Sequence, residues 1–380
     1  MNALIINFLL ILCSSAFVIH GADDCPVDQK GIFCYYASWA VYRNDIGSFT
    51  VADIDPNLCT HLVYAFTGLS KDGLIGSMDP NVDLDRRGYL DFTALKEQNP
   101  CLKTLLAIGG WNQGSRRYSV MVGDKEYRKK FIDSVLRYLA EYDFDGIDLD
   151  WEYPTQRGGI AEDKENFGLL LKEMKEALAR WGLTVSLAVP IDLGVTEAAY
   201  DMKAIDEYVD YVFIMGYDYT SAGDGVTGLI SPLNEISKTV QLWTKSVKST
   251  KVVLGVPAYG ASYTLKSSTS NGLGAAIIGP GEPGFYTGQA GFLSYLEVQS
   301  KVRSGLYKVV PVPASQNYYA YHEDDWITFE MKENYEAQAR YVLQNNLGGA
   351  MVWSIDAEDH LGSLNSSFPI INSIRNVLYG

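Results

Sequence analysis

Short, nearly unbroken apolar runs recur along the chain with longer amphipathic stretches between them. The runs are Gly31–Tyr36, His61–Phe66, Thr104–Gly109, Gly146–Trp151, Thr184–Val189, Tyr211–Tyr217, Val252–Pro257 and Gly349–Ser354. Apolar runs of this length and kind are the signature of parallel strands covered on both faces. The stretches between them, including Glu126–Tyr142, Asp163–Trp181, Leu233–Lys248 and Met331–Asn346, repeat their apolar residues at helical spacing. Eight strands alternating with helices predict an α/β fold, a (β/α)8 TIM barrel. A doubly wound open sheet would place a glycine-rich phosphate loop after an early strand, and none follows Tyr36 or Phe66.

The regular spacing breaks between the seventh and eighth runs, where residues 258–348 intervene. Tyr263–Leu265, Phe292–Val298, Lys308–Pro311, Tyr318–His322 and Trp326–Phe329 alternate there with Gly-, Ser- and Pro-rich turns. They predict a small α+β insertion, about residues 262–329, beside the C-terminal mouth of the barrel.

The fourth run departs from ordinary strand design. Phe144-Asp145-Gly146-Ile147-Asp148-Leu149-Asp150-Trp151-Glu152-Tyr153-Pro154 sets Asp148, Asp150 and Glu152 on one face and Ile147, Leu149 and Trp151 on the other. A solvated acidic edge strand fits poorly between two helical stretches. A calcium loop fits poorly too, because Tyr153 and Pro154 stand where its glycine belongs. A catalytic array fits: carboxyl groups this close in a water-poor site cannot all ionise, and a Glu that keeps its proton at a cleft mouth is a general acid.

Composition narrows the partners. The 31 basic and 46 acidic residues give a net charge of −15, which disfavours nucleic acid and anionic membranes. The 26 Tyr, 14 Phe and 7 Trp supply either core packing or a cleft that stacks on sugar rings. Tyr35, Phe66, Trp111, Met215, Tyr217, Asp218 and Trp353 all fall at strand ends, where a barrel builds its active site, and favour the second reading. An apolar run from Leu4 to Cys13 predicts a signal peptide over residues 1–21 and a secreted, soluble protein of residues 22–380. That leaves Cys25, Cys34, Cys59 and Cys101, for which three pairings are possible; Cys34 with Cys59 and Cys25 with Cys101 is the expected one. Asn365-Ser366-Ser367 is a glycosylation acceptor. Scattered histidines and the lack of a C-x-x-C pair predict no metal site.

These motifs together resemble the secreted chitinases of glycoside hydrolase family 18. The pattern D-G-x-D-x-D-x-E is met by Asp145, Gly146, Asp148, Asp150 and Glu152. Supporting matches are Cys34-Tyr35-Tyr36 through Trp39, Tyr64-Ala65-Phe66, Ala107 through Trp111, Met215 with Tyr217-Asp218, Gly255 through Gly260, and Gly348 through Trp353. The resemblance implies hydrolysis of β-1,4-linked N-acetylglucosamine polymers, chitin and its oligosaccharides, without cofactor and by a monomer. It implies that Glu152 protonates the glycosidic oxygen while the substrate's own acetamide attacks the anomeric carbon. Asp150 then stabilises the oxazolinium, Asp148 shares a proton with Asp150, and Asp145 supports that pair from behind. Tyr217 aligns the acetamide, Asp218 and Tyr259 bond sugar hydroxyls, and Trp353 floors the reacting ring.

Two positions depart from the family pattern. Ala261 stands where an Arg is common, and Tyr219-Thr220-Ser221-Ala222-Gly223 lacks a tryptophan often found after the Asp218 motif. Each removes a sugar contact and leaves the acid in place. The rival function is a chitinase-like lectin that binds oligosaccharides without cleaving them; such proteins typically lose the acid or the middle carboxylates, and this chain keeps all four.

Overall fold

The computed structural model describes residues 25, 26 and 29–380. The expected signal peptide lies outside them. The strands are β1 (Gly31–Ala37), β2 (His61–Leu69), β3 (Ile75–Ser77), β4 (Lys103–Gly109), β5 (Gly146–Asp150), β6 (Thr184–Val189), β7 (Tyr211–Ile214) and β8 (Val252–Pro257). They continue with β9 (Tyr259–Leu265), β10 (Ile277–Pro280), β11 (Phe292–Ser294), β12 (Lys308–Val312), β13 (Asn317–His322), β14 (Asp325–Phe329) and β15 (Gly349–Trp353). Eight of these run parallel in the order β1-β15-β8-β7-β6-β5-β4-β2, and β1 pairs with β2 to close the ring. The barrel is the one the apolar runs predict, with β3 added as a hairpin on β2.

Alternation along the strands divides the core in two. Phe33, Tyr35, Val63, Ala65, Leu105, Ala107, Phe213, Val253 and Met351 fill the barrel. Their neighbours Ile32, Cys34, Leu62, Leu106, Ile147, Leu149 and Val252 point outward and pack with the helices. Both faces are apolar, which explains the uninterrupted runs. Some helices start where the sequence supplies an acceptor: Asp124 caps Lys125–Tyr142 by accepting the Glu126 and Tyr127 N–H groups at 2.8 and 3.0 Å.

Two disulfides join Cys34 to Cys59 and Cys25 to Cys101, the expected pairing. Asn365 is exposed in the loop before the final helix, Pro369–Tyr379. None of the helices is long and apolar enough to cross a membrane among the described residues.

Between β8 and β15 a second sheet forms in the order β10-β9-β14-β13-β12, with β11 on the other part of β9. It begins at Tyr259, two residues past the end of β8, so the insertion starts inside the barrel mouth. The Phe292–Val298 segment divides into β11 and the helix Tyr295–Arg303. Ser294 makes the division: its hydroxyl accepts the Glu297 N–H while the Glu297 carboxylate takes the Ser294 N–H at 2.7 Å.

Glu330, just past β14, fastens the insertion to the barrel. Its Oε1 accepts from Ser231 at 2.5 Å, Gln338 at 2.5 Å and Asn317 at 3.2 Å, which belong respectively to a barrel loop, a barrel helix and β13. Burial pushes this carboxyl up to about 8 from 4.5, against those three donors. The folded chain therefore keeps a proton that the unfolded chain releases above pH 4.5, and its stability falls as pH rises from there toward about 8. Glu330→Gln should remove this loss: its melting temperature should exceed the wild type's by about 3 °C at pH 8 and match it near pH 4.5, as thermal unfolding followed at both pH values will show.

Candidate active site

The carboxyl series of β5 rises through the centre of the barrel. Asp148 is fully buried, Asp150 is buried, and Glu152 is half-buried at the mouth. On the opposite side of the same strand Ile147, Leu149 and Trp151 sit in the helix-facing core. The edge-strand alternative is thereby excluded, since β5 lies between β4 and β6. The bend at the top of β4 lets the chain pass close to this array. Gly109, at φ +123°, lies where a Cβ would stand 2.1 Å from the Asp150 carbonyl oxygen, and a Cβ on Gly110 would meet the Phe66 ring at 2.7 Å.

Each acid has a different environment. Asp148 accepts from the Tyr35 hydroxyl at 2.5 Å and from Ser186 at 2.7 Å, so both of its oxygens are engaged. Burial nevertheless pushes it up to about 6, with the two hydroxyls opposing. Asp150 has no such help: its Oδ1 lacks a hydrogen-bond partner. Burial first, then the negative charges of Glu152 and Asp148, raise its pKa well above the ordinary value. Glu152 is pushed up to about 7 by burial; the Tyr153 hydrogen bond and the Arg157 charge oppose this, and Asp218 adds to it. The site therefore holds protons at neutral pH, as three crowded carboxyl groups must.

Tyr217 and Asp218 follow β7, and Tyr259 opens β9. The Tyr259 hydroxyl donates to Asp218 at 2.5 Å. Asp218 opens to solvent at the cleft while protein crowds its carboxyl, and this desolvation raises its pKa against the Tyr259 bond. The Tyr217 phenol is buried, with its pKa raised well above the ordinary value by burial and the surrounding acids, so it stays a neutral donor. The Met351 sulfur, 3.9 Å away, is its protein partner, which leaves the hydroxyl available to a ligand.

Aromatic rings line the opposite side. Trp353 stacks on Phe66 with centroids 5.7 Å apart, Phe66 stacks on Trp39 at 6.0 Å, and Tyr35 lies 5.3 Å from Trp353. Trp111, 58% exposed, stands apart at the top of β4. Met215 is half-buried and packs with the barrel-interior cluster that contains Tyr217. A cleft with an apolar floor, a neutral phenol and a protonated carboxyl is suited to a sugar whose glycosidic oxygen must be protonated.

A profile of Glycosyl hydrolases family 18 matches residues 31–358. The chain belongs to glycosyl hydrolase family 18. It is similar to chitotriosidase-1 of Mus musculus, 37% identical over 369 residues that span 91% of this chain and 78% of the mouse protein. The crystal structure of an Ostrinia furnacalis Group IV chitinase in complex with allosamidin superimposes with a TM-score of 0.89 at 38% identity, covering 92% of this chain and 98% of that one. The chain is also similar to human YKL-39, described as a pseudo-chitinase with retained chitooligosaccharide binding properties; its TM-score is 0.83 at 28% identity, with 92% and 100% covered.

One residue of the family-18 signature lies elsewhere than expected. Asp145 precedes β5 at the N-terminal end of the barrel, opposite the cleft. Its carboxylate accepts the Thr104 N–H at 2.9 Å and the Thr104 hydroxyl at 3.1 Å, and pairs with Lys96 and Lys103, each at 3.3 Å. It anchors the start of two strands, and its carboxylate bonds Thr104, Lys96 and Lys103, not Asp150. Tyr35 and Ser186 each donate to one Asp148 oxygen, and the Asp148 charge still bears on Asp150. Ser186 and Arg157 are site residues that no motif announced: Ser186 is one polar residue in an apolar run, and Arg157 lies in a loop. Ala261 is buried on β9 opposite Phe292, whose ring stacks on Tyr259 at 4.5 Å.

Asp145→Asn should therefore leave the kcat of oligosaccharide cleavage near the wild-type value while lowering stability by about 1–2 kcal/mol. Paired denaturation and activity assays check this, and a large loss of kcat in a folded variant would put Asp145 back in the reacting site.

Proposed function

We propose that this protein hydrolyses β-1,4-linked N-acetylglucosamine polymers, chitin and chitooligosaccharides, by a substrate-assisted retaining mechanism. One observation carries this reading: Glu152 stands at the cleft mouth with its carboxyl pushed up to about 7, above two further buried acids. Such a group donates a proton to the glycosidic oxygen at neutral pH. Departure of the leaving group builds positive charge on the anomeric carbon, and the 2-acetamido carbonyl closes on it to form an oxazolinium. Asp150, whose Oδ1 is unengaged, would take the acetamide N–H and balance that charge. Asp148, held by Tyr35 and Ser186, would keep Asp150 company as a second acid whose charge favours one shared proton. Tyr217 would hold the acetamide oxygen in line, and Glu152, now ionised, would activate the water that opens the ring.

Trp353, backed by Phe66 and Tyr35, supports the reading of an apolar floor beneath the reacting sugar. Trp111, Met215, Asp218 and Tyr259 would contact neighbouring sugars. The leader and the two disulfides support secretion, and the exposed Asn365 supports glycosylation there. Against the lectin reading stands the complete series Asp148, Asp150 and Glu152, since binding alone has no use for a proton donor at the cleft mouth.

Glu152→Gln should lower turnover of chitotetraose by about a thousand-fold or more with oligosaccharide binding still measurable, because the shape is kept and the proton is lost. Undiminished turnover would overturn the reading, and binding without turnover by the wild type would establish the lectin. In the active enzyme, kcat/KM should decline as pH rises through about 7, since Glu152 must be protonated to act. Trp353→Ala should weaken oligosaccharide binding by about 1–3 kcal/mol through lost aromatic burial, measurable by calorimetry on the Glu152→Gln background.

A further inference from the structure

The turn after the acid places a cation where two of the cleft residues meet. Arg157 has φ +50° and Thr155 φ +66°, with Gly158 next at +99°. Two side chains stay in the left-handed region only when their surroundings hold them there. The hold comes from Asp163, whose fully buried carboxylate accepts the Thr155 N–H at 3.2 Å, the Ile160 N–H at 2.8 Å and the Ser119 hydroxyl at 2.6 Å. The Ser115 N–H bonds the Arg157 carbonyl at 3.4 Å, joining this turn to the loop after β4.

So fixed, the Arg157 guanidinium lies 3.6 Å over the centroid of the Trp111 indole. Its Nη1 donates to the Trp111 carbonyl at 2.8 Å and to the Glu152 carbonyl at 3.0 Å. Both partners are neutral main-chain oxygens, so the charge is not cancelled by a bonded carboxylate. The titratable groups facing Glu152 are Asp150 below it, Tyr153 beside it, Tyr217 and Asp218 from beyond β7, Tyr200 from beyond β6, and Arg157. Arg157 is the cation among them.

We infer that Arg157 is a positioning residue for the reaction: it backs one face of Trp111, leaving the other face for a sugar, and holds a positive charge beside Glu152. The inference rests on Glu152 as the acid and Trp111 as a sugar contact. A guanidinium over one indole face fixes the ring plane before substrate arrives, which reduces what binding must order. The same charge favours ionised Glu152, which restrains the upward push of burial.

The test compares the pH dependence of kcat/KM, and KM on the acidic plateau, for wild type, Arg157→Gln and Arg157→Lys with chitohexaose, with Glu152→Gln alongside. Removing the charge lets Glu152 hold its proton longer, so the alkaline limb of Arg157→Gln should move up by about 0.5–1 pH unit, the low end of the range because Arg157 is exposed. Arg157→Lys keeps the charge and should restore the limb. Both variants lose the flat face over Trp111, so both should raise KM by about two- to five-fold, with kcat changing less. Superimposable limbs for wild type and Arg157→Gln, or equal shifts in the Gln and Lys variants, would overturn the electrostatic role. An unchanged KM in both would overturn the platform. If Arg157→Gln does not fold, Arg157→Met reads the same limb. A wild type without turnover, or an active Glu152→Gln, would instead bring down the assignment of the acid, and is seen before any Arg157 variant is compared.

Discussion

Three carboxyl groups stacked in one water-poor well are the constraint around which the upper half of the barrel is built. Each would be ionised in water, and together in a low-dielectric interior they cannot be. The fold answers in three ways. Asp148, the deepest, is given two hydroxyl donors, Ser186 from the neighbouring β6 and Tyr35 from β1 across the barrel. Asp150 is left with an unpartnered oxygen. Glu152 is placed at the water boundary with an opposing cation nearby. A gradient of satisfaction runs along one segment, from engaged Asp148 to open Asp150, and leaves a proton-holding carboxyl, Glu152, at the cleft mouth.

The surrounding architecture serves that gradient. Strand alternation turns Ile147, Leu149 and Trp151 away into the helix layer, so the acids can face inward without costing β5 its packing. Adjacent strand ends contribute the neutral phenol, the aromatic floor and the Gly109–Gly110 bend. The insertion is continuous with the site, because its first residue, Tyr259, holds Asp218, and the Phe292 ring across β11 holds Tyr259. Glu330 at the far end of the same sheet ties it to the barrel through a buried acid of another kind, one whose three donors all converge on a single oxygen. Proteins of similar structure include both a chitinase and a protein described as a pseudo-chitinase, so fold alone does not separate cleavage from binding. The complete carboxyl series is what supports cleavage in this chain.

The sequence by itself determined the barrel, because runs buried on two faces and helices buried on one have different periods. It determined the insertion as well, because residues 258–348 exceed any ordinary connection, and it marked the acids of β5, because no packing rule puts Asp148, Asp150 and Glu152 opposite Ile147, Leu149 and Trp151. It could not tell the ends of the barrel apart for Asp145, which shares a motif with the acids of the cleft but lies before the strand begins. Distance along the chain is a poor guide there: the motif spans the barrel's height, and its first residue bonds Thr104 and two lysines at the bottom. Only the tertiary structure decided which hydroxyls reach Asp148, since Ser186, 38 residues away, meets it through strand register and Tyr35, 113 residues away, meets it across the closed barrel. Only it showed Arg157 folded back over Trp111, because a turn held by a buried Asp163 is set by side-chain contacts that carry no periodic signal. Patterns of burial are written locally in the chain; the electrostatics of a site are made by groups that come together only when the barrel closes.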